Sequence, residues 1–210
     1  MARRQEGQSW FRGMIGPVVM TSWKGVPVLR TRPSRIRKRK PTPAQEAQRK
    51  RFKLASSFLR GFKALIETSF QPVNGKTGMN MAISHLLTQA TRQNDSGLGI
   101  DYKDVLVAKG SLKKAEEVVV RSTGPGIISF NWADNSGSGN ANASDRSILV
   151  AYREGIGVMF NTDGAMRSGG QAELVTPFFS GEKIHTWVSF RSDDGELTAD
   201  SIYTGIVEII

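Results

Sequence analysis

The distribution of charge constrains this chain more than any other feature. Residues 1–63 hold seventeen Lys and Arg against two acids, whereas residues 101–210 hold ten against fifteen. The formal +10 of the whole chain is therefore +15 at one end and −5 at the other, a basic arm on a mildly acidic body. Like charges at this density repel one another, so the arm needs a polyanionic or acidic partner to become compact. The body, in a chain of 210 residues that is 39% hydrophobic, has room for one domain with a core of its own.

The chain contains no cysteine, which excludes disulfides, a thiolate nucleophile and Cys-based zinc sites, and fits a reducing compartment. The apolar patch Met14 to Met20 is interrupted by Gly16 and Pro17 and lacks a small-residue cleavage pattern, so no secretory signal is recognised. Pro17, Gly25 and Pro27 likewise oppose the amphipathic helix of an organelle transit peptide. No apolar run approaches the roughly 20 residues that span a bilayer, and the expected location is the cytoplasm or the interior of a large assembly.

Residues 16–30, GPVVMTSWKGVPVLR, read as two short β segments around a Ser-Trp-Lys-Gly turn. So small a hairpin must dock on its own body or lend its edge to a neighbouring subunit. Residues 30–40, RTRPSRIRKRK, follow with seven basic side chains and one apolar one, Ile36, and should stay extended unless a polyanion orders them. The bland alternative is a flexible basic linker.

Thr42 as N-cap, Pro43 at the first helical position and Gln45 predict a helix that starts near residue 42. Leu54, Phe58, Phe62 and Leu65 recur on one face, flanked by Ala55, Leu59 and Ile66, while Arg49, Lys53, Arg60 and Lys63 share a narrow opposite stripe. No acid interrupts Gln48 to Ile66, as one would on an ordinary solvated face. A membrane-surface helix is disfavoured because the bulky apolar face suits protein packing and the adjacent run is rich in Arg. A second, weaker helix is expected over Thr77 to Arg92, with His85 packed near its apolar side and NDSGLG (94–99) closing the region.

From Ile100 the period changes to two. Residues 105–108, 117–122, 126–132, 147–154, 157–161, 172–177, 183–191 and 201–209 read as short strands between Gly, Asn, Asp and Ser turns. Seven or eight strands in so short a span, with no room for helical crossovers, predict an antiparallel β-sandwich. The expected fold is α+β: a basic arm with a hairpin over 1–41, two helices over 42–99 and a sandwich over 100–210.

Trp132 at a strand end, Tyr152 in the next strand, Leu174, FFSGEKIHTWVSF and SDDGELTADS together resemble a fibronectin type III or immunoglobulin-like sandwich. His185 and Trp187 stand where that family usually has a tyrosine. The whole chain, through GPVVMTSWKGVPVLRTRP, TPAQEAQRKRF, IDYKDVLVAKGSL and WADNSGSGNANASD, resembles a family of uncharacterised bacterial proteins, mainly from Bacteroidota. That resemblance implies no activity and carries over no catalytic residues.

Asp134, Ser136, Ser138, Gly139, Asn142 and Asp145 follow the ligand spacing of a helix-flanked calcium loop. Strand-like flanks, Asp instead of a bidentate Glu at the last position and only two carboxylates favour a loop held by side-chain-to-backbone turns. No nucleophile elbow or phosphate loop is present, and His85 and His185 lie in separate regions, so no enzyme is expected and no cofactor beyond the calcium alternative.

The leading expectation is a structural or assembly protein whose Arg30, Arg32, Arg35, Arg37, Lys38, Arg39 and Lys40, with the helical Arg49, Lys53, Arg60 and Lys63, contact nucleic acid or an acidic neighbouring subunit. Trp23 packs the hairpin or stacks on a base. Self-association and a phage or virion role fit this division. The alternatives are a protein- or glycan-binding module with a basic tether, and a ribosome-associated protein.

Overall fold

A computed structural model describes residues 3–4, 11–23, 25–32, 40–73, 75–94 and 97–210. They fall into two compact units, residues 1–42 and residues 43–210. Among the described residues no helix is long and apolar enough to cross a membrane.

The first unit is a four-stranded antiparallel sheet in chain order, β1 (Arg3–Arg4), β2 (Phe11–Ile15), β3 (Val18–Trp23) and β4 (Val26–Thr31). The expected hairpin is its β3–β4 half. Register places Met20 between Gly13 and Leu29, and Val19 between Met14 and Arg30. Because side chains alternate across a strand, Val18, Met20 and Leu29 share one face while Met14, Val19, Val28 and Trp23 share the other. Both faces are apolar, yet none of residues 12–23, 25–32 and 40–42 is buried. Trp23 is 71% exposed and Leu29 64%.

The second unit has three layers. Its central layer is the antiparallel sheet β10-β9-β12-β13, formed by β9 (Arg146–Arg153), β10 (Gly157–Asn161), β12 (Lys183–Arg191) and β13 (Ile202–Glu208). One face packs on the sheet β11-β8-β7, formed by β7 (Glu116–Gly124), β8 (Ile127–Ala133) and β11 (Gln171–Val175). Leu149, Ala151, Val188 and Phe190 meet Ile128, Phe130, Trp132 and Leu174 there, in a sandwich-like arrangement. Gly126 (φ +67°) makes the β7–β8 turn, where a Cβ would come within 2.9 Å of Pro177.

The opposite face of the central sheet carries the helices α1 (Pro43–Gly61), α2 (Lys63–Ser69) and α3 (Gly78–His85). Ile148, Val150 and Trp187 pack there against Phe62, Leu65, Ile66, Ala82 and Leu86. Double-sided burial explains why β9 and β12 read as almost continuous apolar runs instead of strict alternation. Helices and strands thus form one unit.

Three local expectations are corrected. The first helix breaks at Phe62 (φ −89°, ψ 6°) into α1 and α2. The second ends early in a π-turn, Leu86–Ala90, because the chain turns into a small hairpin of β5 (Thr91–Asn94) and β6 (Gly97–Ile100). Val105–Ala108 is no strand. Its backbone is held by Ser201 Oγ at 2.9 Å from Val107 N, by Ser69 Oγ donating to Val107 O and by Trp187 Nε1 donating to Val105 O.

Candidate functional site

The proposed basic contacts divide by position. Arg35, Arg37, Lys38 and Arg39 lie outside the described residues, while Arg30 is the penultimate residue of β4 and Arg32 follows the strand, its amide donating to Pro17 O. Lys40 is exposed just ahead of α1.

Pro43 opens α1 as the sequence predicts, since a missing amide costs nothing at the first helical position. Every residue from Pro43 to Lys53 is exposed, and burial begins only at Leu54 and Ala55. Phe52, 48% exposed, is the large apolar side chain in that stretch. Arg49, Lys53 and Arg60 share one stripe, exposed and without an ion-pair partner among the described residues, while Lys63 lies 3.8 Å from Glu67 across one turn of α2. A helix half that is exposed on all sides gains little from packing, and short isolated helices are marginal in water.

In the 134–145 loop one oxygen of each carboxylate is bonded to the protein, while Asp145 Oδ1 is buried with no hydrogen-bond partner among the described residues. Asp134 Oδ1 accepts from Ser136 N at 3.0 Å. Asp145 is buried, and its Oδ2 accepts from Asn142 N at 2.9 Å and from Arg167 Nε at 3.0 Å. Arg167 is equally buried: Nη1 donates to Asn135 Oδ1 at 2.7 Å, Nη2 to Lys113 O at 3.0 Å, and the guanidinium lies 3.9 Å from the centroid of Phe190. Among the described residues no three His, Asp or Glu side chains converge as a metal site would require. Backbone turns run through the loop, Ser138 N donating to Asn135 O and Asp145 N to Asn142 O.

A feature that sequence reasoning missed is a row of three hollows on the body that share lining residues, a discontinuous groove. One hollow, of about 350 Å³, is lined by Tyr102, His185, Tyr203 and Ile206 with Arg92 and Asp101 at its edge. It shares Lys103 with a second hollow of about 520 Å³, bordered by Asp104, Lys114 and Asp200. His85 and Gln89 line both the second hollow and a third of about 400 Å³, which reaches Lys76 and Lys109.

At the aromatic end the Tyr102 and His185 rings stack with centroids 3.9 Å apart, and His185 Nδ1 lies 2.8 Å from the Tyr203 hydroxyl. Burial lowers the pKa of the His185 imidazole from its ordinary value, against the pull of Glu154 and with a push from Arg153. Burial also raises the Tyr203 phenol, with help from Asp101. The neutral imidazole and protonated phenol that result suit a hydrogen-bonded surface of flat rings. Arg92 is held by Asp104 and by Asp101, whose Oδ2 is 3.5 Å from Nε, and Lys114 Nζ is 3.4 Å from Asp200. His85 Nε2 lies 2.9 Å from the Asp104 carbonyl oxygen and joins the third hollow to this scaffold. The one cue in sequence was His185 standing where the sandwich resemblance expects tyrosine.

The chain belongs to a family of unknown function, DUF6266, whose model matches residues 10–205. No curated protein matches it.

Proposed function

We propose that this protein is a non-enzymatic assembly component whose basic N-terminal arm and first helix contact nucleic acid or an acidic neighbouring subunit. The observation that carries this is the first half of α1, exposed on every side from Pro43 to Lys53, with Arg49 and Lys53 unpaired among the described residues. Phosphates arrayed along the helix would supply the stabilisation that packing does not. The first unit adds a sheet with two apolar faces and no buried side chain among the described ones, which suits an element completed by association.

A phage or virion component fits this division, with the arm neutralising a genome and the body making protein contacts. The cytoplasm or the inside of such an assembly is the matching location. We read the body as fibronectin type III-like, a reading supported by its strand orders, β7-β8-β11 and β10-β9-β12-β13. The 134–145 loop is assigned a structural role through Arg167. A second reading, a glycan- or protein-binding module, is favoured by the aromatic groove.

Binding of the full chain to duplex and single-stranded oligonucleotides across a salt series tests the proposal. Affinity that falls steeply with salt and weakens in Arg30→Gln/Arg32→Gln supports the arm. Salt-insensitive binding of neutral glycans, with no nucleic acid bound, supports the module.

A further inference from the structure

We infer that the groove from Tyr203 to Lys109 is a binding track for a single-stranded nucleic acid, a refinement that rests on the nucleic-acid reading above. Two separate features point to this ligand. Tyr102, His185 and Tyr203 line the hollow at one end with rings on which a base can stack. Beyond them, Lys103, Lys76 and Lys109 line the hollows in turn, and none of the three has an ion-pair partner among the described residues.

The other cations of the groove are already paired. Arg92 is tied to Asp101 and Asp104, and Lys114 to Asp200. Across the first two hollows Arg92, Lys103 and Lys114 are therefore balanced by Asp101, Asp104 and Asp200, and positive charge without a counter-ion collects in the third, on Lys76 and Lys109. A ligand with flat rings and a regular run of anions uses both ends. A neutral oligosaccharide leaves Lys76 and Lys109 unanswered, and a duplex keeps its base faces stacked inside, away from Tyr203. Stacking on Tyr203 and His185 is tolerant of base identity, so the track holds a strand without reading its sequence.

The test uses the full chain with labelled dT and U oligomers and a duplex of equal length, each titrated across salt. Three variants are compared: Lys103→Gln/Lys109→Gln, Tyr203→Leu, and Arg30→Gln/Arg32→Gln. The expected result is a single-strand salt slope shallower by roughly 0.7 per lysine removed. Tyr203→Leu should weaken single-strand binding by roughly five- to hundredfold, and duplex binding should persist in both groove variants.

Single-strand binding unchanged in both groove variants but weakened in the arm variant overturns the track and leaves the arm standing. Single-strand binding lost in the groove variants and unaffected in the arm variant keeps the track and overturns the arm. Binding to neither oligomer overturns both. Tighter binding of an anionic polysaccharide, lost in the same groove variants, overturns the assignment to nucleic acid. Thermal melting shows whether Tyr203→Leu folds; if it does not, the lysine pair, which is exposed, decides the matter alone.

Discussion

Arg167 Nε donates to Asp145 Oδ2 at 3.0 Å, and neither side chain has any exposed surface. The guanidinium is also bonded to Asn135 and to the Lys113 carbonyl, so one residue from the loop before β11 ties the segment before β7 to both ends of the 134–145 loop. Burial lowers the Arg167 pKa, and hydrogen bonding to Asp145 opposes that shift. The pair fixes a long irregular loop to the sandwich.

Removing one partner leaves the other as an uncompensated buried charge. Arg167→Met keeps a stem against Phe190 but abandons the Asp145 carboxylate, and should cost about 3–5 kcal/mol in chemical denaturation. A loss below about 1 kcal/mol would show that water reaches the carboxylate and that the pair does not organise the loop.

The three-layer body predicts shared cooperativity. Leu65→Ala opens space beneath Trp187 and Val150 and should cost about 2–5 kcal/mol. Helical circular dichroism and tryptophan fluorescence should still move through one coincident transition. Separate transitions would mean that the helices and sheets unfold as independent domains.

His185 gives the body a pH dependence above the carboxylate range. Its folded pKa is lowered by burial, so between that value and the ordinary 6.5 the unfolded chain binds more protons than the folded one. Stability from this residue is fully present above pH 6.5 and is lost as pH falls through the folded pKa. The thermal midpoint should drop on acidification in this window, and His185→Gln should flatten that part of the curve. An unchanged curve in the variant would assign the drop to other groups.

Much of the architecture was legible in the residues. Period-two runs located seven strands of the body, and the spacing of Leu54, Phe58, Phe62 and Leu65 announced the helical face. The partner of that face was less legible, although the unbroken apolar runs in β9 and β12 carried the signal of a sheet covered on both sides. Val105–Ala108 has the composition of a strand, but Ser69, Ser201 and Trp187, all distant in sequence, take its hydrogen bonds. Arg167 lies in a Ser-Gly-Gly stretch that looks solvated, and only the fold brings Asp145 and Asn135 to it. The groove was hidden for the same reason, because Lys76, His85, Lys103, His185 and Tyr203 come from five separated segments.

Exposure of the first half of α1 predicts uneven protection. Amides of residues 44–53 should exchange much faster than those near Leu59 and Leu65, and should slow when nucleic acid is added. Fast exchange that persists at saturating nucleic acid would exclude this helix from the interface.

The most direct measurement compares duplex binding by the full chain and by Arg49→Gln/Lys53→Gln/Arg60→Gln across a salt series, with assembly mass determined in parallel. All three side chains are exposed, so the variant should melt close to wild type. The account predicts a salt slope shallower by roughly 0.9 for each phosphate contact removed. A slope and affinity identical to wild type would contradict the claim that the helix contacts nucleic acid, and a simultaneous loss of large assemblies would assign its charge to an acidic subunit.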